Sequence, residues 1–461
     1  MAMTERNDAD ALDVTALIDR GNFGRFQLQV VSLCALVALL DGADTTSIAI
    51  AAKAISTKLS VPMSSLGVIF AASTLGAALG AMAFGPLADR FGRKGLLVVA
   101  TVIFGVFTLL TAHADTFASI TICRLLAGVG LGGATPCFLA LVSEYVPSRL
   151  RGTVVTVLWA SFPLGIMVGG FVNSYLVAAF GWESIFRVGG VLPIIVAVIL
   201  GLALPESLQF LIVRRNATDK AAAIVSRLAP GVAGAKTRFV AAFEQPANVP
   251  VKQLFTQGRA ISTLLLWIPF FMAFGVLAVV VFFTPALLRS AGGPAAASAG
   301  ALVNGFHGLG ALLGTAVSGR LVQRYGPAVI LGMGLLIGAV CTVLLGFSVT
   351  TVTLAAMATA MIGLFLGIAG AGSIAVAALL YPTAIRATGI GWGMGMGRAG
   401  QAVMPLIASW LLTQGDGEMM LLVMAAVLIT SIIAVFLLGR STNRTDLVQT
   451  VAVAVSDSSS L

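Results

Sequence analysis

Residues 75–92 read LGAALGAMAFGPLADRFG, and residues 309–326 read LGALLGTAVSGRLVQRYG. When the two stretches are aligned with a shift of 234 positions, nine of eighteen residues are identical. A shift of 235 positions pairs Gly128 with Gly363 and Arg151 with Arg386. The chain is therefore predicted to contain two halves that repeat the same order of elements in the same orientation.

The composition requires a membrane around most of the chain. Of its 461 residues, 58% are hydrophobic and only 10% are charged, and the mean hydropathy is +1.03. Soluble proteins carry about 25% charged residues. A window of about 20 apolar residues, the length that crosses a bilayer, finds twelve candidate spans. Their approximate limits are 26–52, 64–86, 95–114, 117–143, 152–176, 185–205, 260–288, 297–320, 326–349, 352–380, 387–413 and 418–440.

The predicted fold is an all-α membrane protein with twelve transmembrane helices in two six-helix bundles. The expected parts are a tail (1–25), a first bundle (26–205), a central loop (206–259), a second bundle (260–440) and a tail (441–461). With a cytoplasmic N-terminus, 21 of the 27 lysines and arginines fall in cytoplasmic segments and four fall outside. This asymmetry predicts that both termini are cytoplasmic.

Several classes of function are disfavoured. The net charge of +9 is accounted for by this topology, so we expect no nucleic-acid partner. The sequence has no HExxH motif and no CxxC pair, so no metal site, cofactor or disulfide is expected. An enzyme would need a nucleophile with its base or a metal cluster, and no such motif is present, so the protein is not expected to be an enzyme. The four cysteines are isolated in apolar stretches, at Cys34, Cys123, Cys137 and Cys341.

Two motifs resemble the major facilitator superfamily, whose halves repeat in parallel as inferred above. Residues 85–94, GPLADRFGRK, resemble its signature between spans 2 and 3, and residues 124–132, RLLAGVGLG, resemble its span-4 pattern. Four further stretches resemble the aromatic acid:proton symporters of that superfamily. They are LDGADT (40–45), LPESLQFL (204–211), YPTAIRATGIGW (381–392) and GRAG (397–400).

The resemblance implies a secondary transporter that imports a small aromatic carboxylate, of the hydroxybenzoate, protocatechuate or benzoate type, with protons and by alternating access. It also implies a multi-pass protein of a bacterial-type inner membrane, and we expect a monomer in the lipid bilayer.

Two other kinds of transporter stay open: a proton-coupled symporter of another organic acid or a sugar, and a drug/proton antiporter. Such antiporters carry a span-5 pattern ending G-P-x-x-G-G, whereas residues 165–170 read GIMVGG, with Ile166 at the proline position. A buried arginine favours an anion over a sugar.

Asp41 and Asp44 are the candidate proton-coupling residues. They lie midway along an apolar span, three residues apart, so their carboxylates share one face of the helix. A charge at the centre of a bilayer costs at least about 2.5–3.5 kcal/mol, so such residues usually serve a function. The alternative is a structural pair anchored by arginine or by backbone donors.

Arg398 and Arg124 are the two arginines inside spans. A planar guanidinium binds a carboxylate through two hydrogen bonds, so Arg398 is predicted to hold the substrate's carboxylate. Its alternative role is a salt bridge to Asp41 or Asp44. Arg124 is expected to couple span 4 to the protonation site and substrate, or else to pair with Glu144 or an acid in a loop.

The remaining substrate-binding candidates are apolar walls and hydrogen-bonding groups. Trp392 and Phe306 offer flat surfaces to an aromatic ring, and ordinary packing is their alternative role. His307 and Asn304 are candidates to bond a ring hydroxyl, or else they are structural donors.

The resemblance also implies a cytoplasmic gate. It places Asp89 near a helix N-terminus, with Arg90, Arg93 and Lys94 bridging to neighbouring helices. Matching latches are expected at Arg386 and in the group formed by Glu144, Arg149 and Arg151. The second copy of the signature has Gln323 in place of the acidic residue, which weakens the expectation of a second gate.

Overall fold

The computed structural model describes residues 11–213, 218–228, 238–240, 251–256, 258–291, 296–415 and 417–458. Its helices in chain order are α1 (Val14–Arg20), α2 (Arg25–Leu59), α3 (Leu66–Phe91), α4 (Arg93–Thr111), α5 (Phe117–Tyr145), α6 (Ser148–Phe180), α7 (Glu183–Ala203), α8 (Leu208–Val213), α9 (Thr218–Leu228), α10 (Ala260–Ala291), α11 (Ala296–Tyr325), α12 (Pro327–Ser348), α13 (Val352–Leu380), α14 (Thr383–Gln414) and α15 (Gly417–Ser458). Two short strands, β1 (Ala11–Asp13) and β2 (Arg238–Val240), pair in parallel.

The predicted membrane fold is confirmed. Within the described residues, α2–α7 and α10–α15 are twelve long helices, and eleven of them are long and apolar enough to span a membrane. The twelfth is α14, which carries Arg386 and Arg398 and is rich in glycine. Several helices extend well past the predicted spans, because a hydropathy window registers only the apolar part of a helix that continues beyond the hydrocarbon.

The internal repeat is visible in the packing of α3 on α5 and of α11 on α13. A Cβ on Gly128 would meet the carbonyl oxygen of Ser73 at 2.1 Å, and a Cβ on the repeat-related Gly363 would meet that of His307 at 2.2 Å. An added Cβ on Gly80 or Gly314 would come as close to a backbone carbonyl oxygen of the partner helix, at 2.1 and 2.2 Å respectively. Both halves therefore use glycine to bring these helix backbones into contact, as small residues do inside membranes.

The repeat extends to the tight turns that follow α3 and α11. Gly92 precedes α4 with φ of 106°, and Gly326 precedes α12 with φ of 84°. Glycine alone adopts such a conformation without strain. In each half, a single glycine therefore joins one long helix to the next.

Contacts divide the chain into two compact units. The first unit consists of residues 1–45, 72–165 and 181–245, and the second of residues 46–71, 166–180 and 246–461. The borders cut through α2, α3 and α6, so one part of each helix packs with the second half of the chain. The division into bundles at the central loop stays a prediction.

Segments near the chain start and the central loop pack within the first unit. Val14 and Ile18 of α1 and Ala221 and Val225 of α9 are buried in the core of that unit. The carboxylate of Asp19 accepts a hydrogen bond from the backbone N–H of Ser148 at 2.7 Å, at the first residue of α6. These polar segments thus cover one end of the apolar helices.

Substitution Gly128→Ala is expected to lower the free energy of unfolding of the purified protein by about 1–3 kcal/mol. The new methyl group would overlap a backbone carbonyl of α3. The matched control is Gly332→Ala on α12, where a Cβ meets nothing within 4 Å. Melting in detergent, followed by size-exclusion chromatography, measures both. Equal melting temperatures for the two variants would contradict the close helix crossing.

Candidate functional site

A buried ion pair joins α2 to α5. Arg124 Nη1 donates to Asp44 Oδ1 at 3.2 Å, and Nη2 donates to Oδ2 at 2.7 Å. The two side chains are 0% and 4% exposed. Since both side chains are buried from solvent, each ion depends on the other for its stability.

Two further side chains surround this pair. The hydroxyl of Thr108 on α4 lies 3.3 Å from Asp44 Oδ1 and 3.5 Å from Arg124 Nη2, so it donates to the carboxylate and accepts from the guanidinium. The ring of Phe186 on α7 has its centroid 5.7 Å from Arg124 Cζ, which is a cation–π contact. The sequence analysis missed both residues, because a threonine or phenylalanine in an apolar helix carries no distinguishing signal.

The local packing explains how α2 presents its carboxylates. A Cβ on Gly165 would meet the carbonyl oxygen of Leu39 at 2.0 Å, so α6 lies directly against the turn of α2 that contains Asp41 and Asp44. Of these two acids, Asp44 is the one ion-paired to Arg124. Asp41, one turn earlier, is half-buried, and its carbonyl accepts a hydrogen bond from the Thr45 hydroxyl at 3.0 Å.

The ion pair decides two of the alternatives raised by the sequence. Arg124, and not Arg398, is the partner of Asp44. Glu144 is not the partner of Arg124, because its carboxylate instead binds the Arg93 guanidinium and accepts from the Ser207 hydroxyl. The sequence could not reveal these pairings, since they join residues far apart in the chain.

Arg398 lies near the middle of α14. It is half-buried and has no hydrogen bond or ion pair within the part of the chain that the structure describes. Gly391 and Gly395, seven and three residues before it, face open space, with nothing within 4 Å of an added Cβ. Arg398 therefore lies on a part of α14 whose backbone is exposed at Gly391 and Gly395.

A second row of glycines fixes α14 to α10. Gly393 packs against the ring of Phe270, Gly397 against that of Phe274, and Gly400 against the backbone of Phe271. The glycines of residues 391–400 therefore lie on two faces of α14. One face packs against α10, and the other is open.

His307 and Asn304 are both buried on α11. His307 is 0% exposed, with Nδ1 at 3.1 Å from the carbonyl oxygen of Thr359, and Asn304 is 1% exposed, with Nδ2 donating to the carbonyl oxygen of Val281 at 3.0 Å. Both make structural hydrogen bonds, and each retains one polar atom without a partner in the described structure.

The two aromatic candidates occupy different surroundings. Phe306 packs edge-on against Phe171, with 5.6 Å between ring centroids. Trp392 is 45% exposed and stacks on Trp267 at 6.1 Å. Among the described residues, no group of three histidines, cysteines or acids could hold a metal ion.

The predicted gate is organised by a residue that the sequence analysis did not select. The carboxylate of Glu206 accepts from the backbone N–H groups of Arg93 and Lys94, each at 3.0 Å, and so caps the N-terminus of α4. Asp89 itself lies in the last turns of α3, 66% exposed, and contacts Arg93, the first residue of α4, at 3.4 Å. The available signal was the stretch LPESLQFL, which contains Glu206.

The other gate candidates make separate contacts. Arg90 lies over the ring of Phe91, and Arg149 donates to the carbonyl oxygen of Gly21 at 2.9 Å. Arg386 donates to the carbonyl oxygen of Tyr381 at 3.4 Å, within its own segment. Arg151 lines a small pocket together with Glu144 and residues of α1 and α8.

Comparison with known proteins identifies several relatives. The family model described as "Sugar (and other) transporter" matches residues 29–450. The 4-hydroxybenzoate transporter PcaK of Pseudomonas putida is 35% identical over 402 residues, which are 87% of this chain and 89% of the relative. A gallate transporter of the same species is 32% identical, over 88% of this chain and 90% of the relative.

A solved structure agrees with the fold. The xylose transporter XylE from E. coli, in a partially occluded inward open conformation, matches with a TM-score of 0.70. The match covers 89% of this chain and 97% of that chain, at 16% sequence identity. At this identity the likeness shows the fold alone.

The buried ion pair predicts how much stability variants at Asp44, Arg124 and Arg398 lose relative to one another. Arg124→Gln is expected to lower the free energy of unfolding by about 3–5 kcal/mol, because it leaves a carboxylate buried without a partner. The double variant Asp44→Asn, Arg124→Gln should recover much of that loss. Arg398→Gln is the matched control, since it removes an intramembrane arginine that has no ionic partner among the described residues. Thermal melting of the four proteins provides the measurement, and a double variant no more stable than Arg124→Gln would refute the pairing.

Proposed function

This chain belongs to the sugar (and other) transporter family of the major facilitator superfamily, and within it to the aromatic acid transporters, and we propose that it imports a small aromatic carboxylate together with protons. The observation that carries the proposal is the ion pair between Asp44 and Arg124, buried in the middle of apolar helices. The relatives named for 4-hydroxybenzoate and gallate support the class of substrate.

Proton coupling follows from the chemistry of the pair. A proton that reaches Asp44 neutralises the carboxylate and removes its attraction for Arg124, so α2 and α5 lose an electrostatic link. Loss of the proton restores that link. Asp41, half-buried one turn away, is the group through which we expect the proton to arrive. Alternating access then exposes the pair to one side of the membrane at a time.

Substrate binding is assigned to Arg398. Its guanidinium has no ionic partner within the described residues, and the face of α14 that carries it is open at Gly391 and Gly395. A carboxylate bound there would form two charge-assisted hydrogen bonds. The two arginines therefore have different roles in the proposal. Arg124 is paired with Asp44 inside the protein, whereas Arg398 is available to the carboxylate of a substrate.

The driving force for import depends on how many protons accompany each substrate molecule. One proton with one monoanion is electroneutral and draws on the pH gradient, about 1.4 kcal/mol per unit. A second proton adds the membrane potential, about 2.3 kcal/mol per 100 mV. The basic residues support an orientation with both termini in the cytoplasm, so that the network of Arg93, Glu144 and Glu206 would close the cytoplasmic side.

Asp44→Asn is expected to abolish accumulation of labelled 4-hydroxybenzoate in proteoliposomes with an imposed pH gradient, because an amide cannot take up and release a proton. Exchange of internal for external substrate, which needs no net proton movement, should persist. Asp219→Asn, an exposed carboxylate on α9, is the matched control and should accumulate normally. Accumulation by wild type that survives a protonophore would disprove proton coupling.

Arg398→Lys is expected to weaken substrate binding about 10- to 100-fold, since lysine cannot form the paired hydrogen bonds of a guanidinium. Melting of the unliganded protein should not change. Arg187→Lys on α7, an exposed arginine, serves as the control. Equilibrium binding of labelled 4-hydroxybenzoate to purified protein measures the effect, and an unchanged dissociation constant would move the carboxylate site away from α14.

A further inference from the structure

The guanidinium of Arg124 depends on very few partners. A guanidinium has several N–H donors and keeps its positive charge in a protein. Nη1 and Nη2 donate to Asp44 at 3.2 and 2.7 Å, and Nη2 lies 3.5 Å from the Thr108 hydroxyl. Within the described residues Nε has no hydrogen bond, although the side chain is 0% exposed. Asp44 is the one acid that is ion-paired with Arg124 in the part of the chain that the structure describes.

This arrangement opposes the proposed proton uptake. A proton on Asp44 neutralises the anion, but Arg124 cannot lose its own proton and is buried from solvent. A buried cation without a counter-charge is strongly unfavourable. Protonation of Asp44 therefore requires a second group that stabilises the guanidinium once the carboxylate is neutral.

The ring of Phe186 is placed to be that group. The guanidinium lies over the ring, with Cζ 5.7 Å from the centroid, and the Phe186 side chain is 0% exposed. The face of an aromatic ring is negative and attracts a cation, most strongly where water is excluded. A phenylalanine ring neither gains nor loses a proton, so its attraction for Arg124 persists in both states of Asp44.

The distance makes this contact sensitive to the state of Asp44. Cation–π contacts extend to about 6 Å, so 5.7 Å lies near their outer end. In this structure the contact with Asp44 at 2.7 Å fixes the position of the guanidinium. Once Asp44 is neutral, that restraint weakens and the guanidinium can approach the ring. The ring therefore stabilises the state with a protonated acid more than the state with an ion pair, and such a difference is what shifts an equilibrium.

Close packing of α7 on α4 holds the ring at the level of the pair. A Cβ on Gly190 would meet the backbone nitrogen of Leu109 at 2.5 Å, and a Cβ on Gly189 would meet the Thr108 methyl group at 3.6 Å. Both glycines lie within about one turn of Phe186 on α7. Trp182 packs edge-on against the Phe186 ring, with 6.0 Å between centroids and 82° between planes. The ring is therefore held from both sides along its own helix.

The Thr108 hydroxyl can stay bonded in both states of the acid. A hydroxyl has one donor and two acceptor positions. With Asp44 ionised, it donates to Oδ1 at 3.3 Å and accepts from Arg124 Nη2. With Asp44 protonated, the acid has a proton to donate and the hydroxyl oxygen can accept it. Thr108 thus keeps the neutral acid near the arginine, but it is uncharged and cannot replace the anion.

The other ionisable groups near the pair lie at its edges. Asp41 is half-buried one turn earlier on α2, and Cys123 is half-buried beside Arg124 on α5. On α7, Glu183 is half-buried and Arg187 is exposed, each within about one turn of Phe186. The helices α4 and α6 have charged residues only in their first turns. Among these described groups, Asp44 is the one joined to Arg124 by an ion pair.

We propose that Phe186 is a positioning residue of the proton-coupling site, whose ring holds the Arg124 guanidinium while Asp44 is protonated. The assignment rests on the proposed function and deepens it, since it names the residue that allows an acid beside a permanent cation to take up a proton. Loss of the ring penalises the neutral form of Asp44 more than it penalises the ion pair.

The first experiment measures thermal melting of purified full-length protein and needs no transport. Asp44→Asn imitates the protonated acid, so Phe186→Leu should lower the melting temperature of Asp44→Asn by several degrees more than that of wild type. In Arg124→Gln no cation remains, so Phe186→Leu should lower the melting temperature least. A loss that is equal in all three backgrounds would show a purely structural role and would overturn the assignment.

The matched control is Phe138→Leu. Phe138 is another buried phenylalanine, 5% exposed, fourteen residues after Arg124 on α5 and thus about 21 Å away along the helix. Distant sites contribute additively to stability, so its loss should be the same in all three backgrounds. If Phe186→Leu in Asp44→Asn yields no folded protein, Phe186→Trp decides, because tryptophan binds cations best. It should raise the melting temperature of Asp44→Asn relative to its effect on wild type, and an equal effect on both would overturn the assignment.

The second experiment measures uptake of labelled 4-hydroxybenzoate into proteoliposomes as a function of external pH. Uptake that requires a protonated Asp44 rises as the pH falls. Phe186→Leu makes protonation harder, so its half-maximal rate should move by about 0.5 pH unit toward acid, with the maximal rate at low pH retained. Phe186→Trp should move it in the opposite direction, and Phe138→Leu should not move it.

The two proposals fail in different ways. A rate that Phe186→Leu reduces by the same factor at every pH, in a wild type that a protonophore stops, would overturn the role of Phe186 and spare the proposed function. Wild-type accumulation that survives the protonophore would overturn the proposed function. The melting experiment would then still decide whether Phe186 holds Arg124 when Asp44 is neutral.

Discussion

The structure depends on the cost of placing charge in an apolar medium. A lone carboxylate or guanidinium among these helices would be expensive, and Asp44 and Arg124 offset that cost through a two-pronged contact that is buried from solvent. The Thr108 hydroxyl adds one hydrogen bond to each member of the pair. Protonation of Asp44 would remove its charge and weaken its hold on Arg124, which is the step that the proposed coupling uses.

The glycines determine how closely the helices around the ion pair and their repeat-related helices pack. Gly76, Gly80 and Gly128 place α3 against α5 with backbone in contact, and Gly310, Gly314 and Gly363 do the same for α11 and α13. Since such contacts involve no interlocking of long side chains, the paired helices form smooth, rigid units. In the proposed function, a rigid pair of helices would pass the loss of a single ion pair along its whole length, whereas a loosely packed bundle would not.

Sequence reasoning reached the fold and the charged residues but not their partners. Twelve spans follow from hydropathy, and the repeat follows from nine shared residues, because both are properties of the chain itself. Asp44, Arg124 and Arg398 stood out because charge is rare in apolar helices. Their pairing depends on which helix faces which, and this is set by glycine contacts distant in sequence. For the same reason the sequence did not assign Glu206 to the N-terminus of α4, because Glu206 lies more than a hundred residues from that helix end in the chain.

The repeat also shows how two copies of one unit came to hold different chemistry. The shift that pairs Gly128 with Gly363 pairs Arg124 with Thr359, and the shift that pairs Gly92 with Gly326 pairs Thr108 with Thr342. In the first half these positions hold the ion pair. In the second half Thr359 contacts the imidazole of His307, and the Thr342 hydroxyl donates to the carbonyl of Gly338 in its own helix. The same backbone crossing therefore carries charge in one half and neutral polar groups in the other. Under the proposed function, this division keeps the acid that takes up the proton away from the substrate's carboxylate, which a free acid nearby would repel.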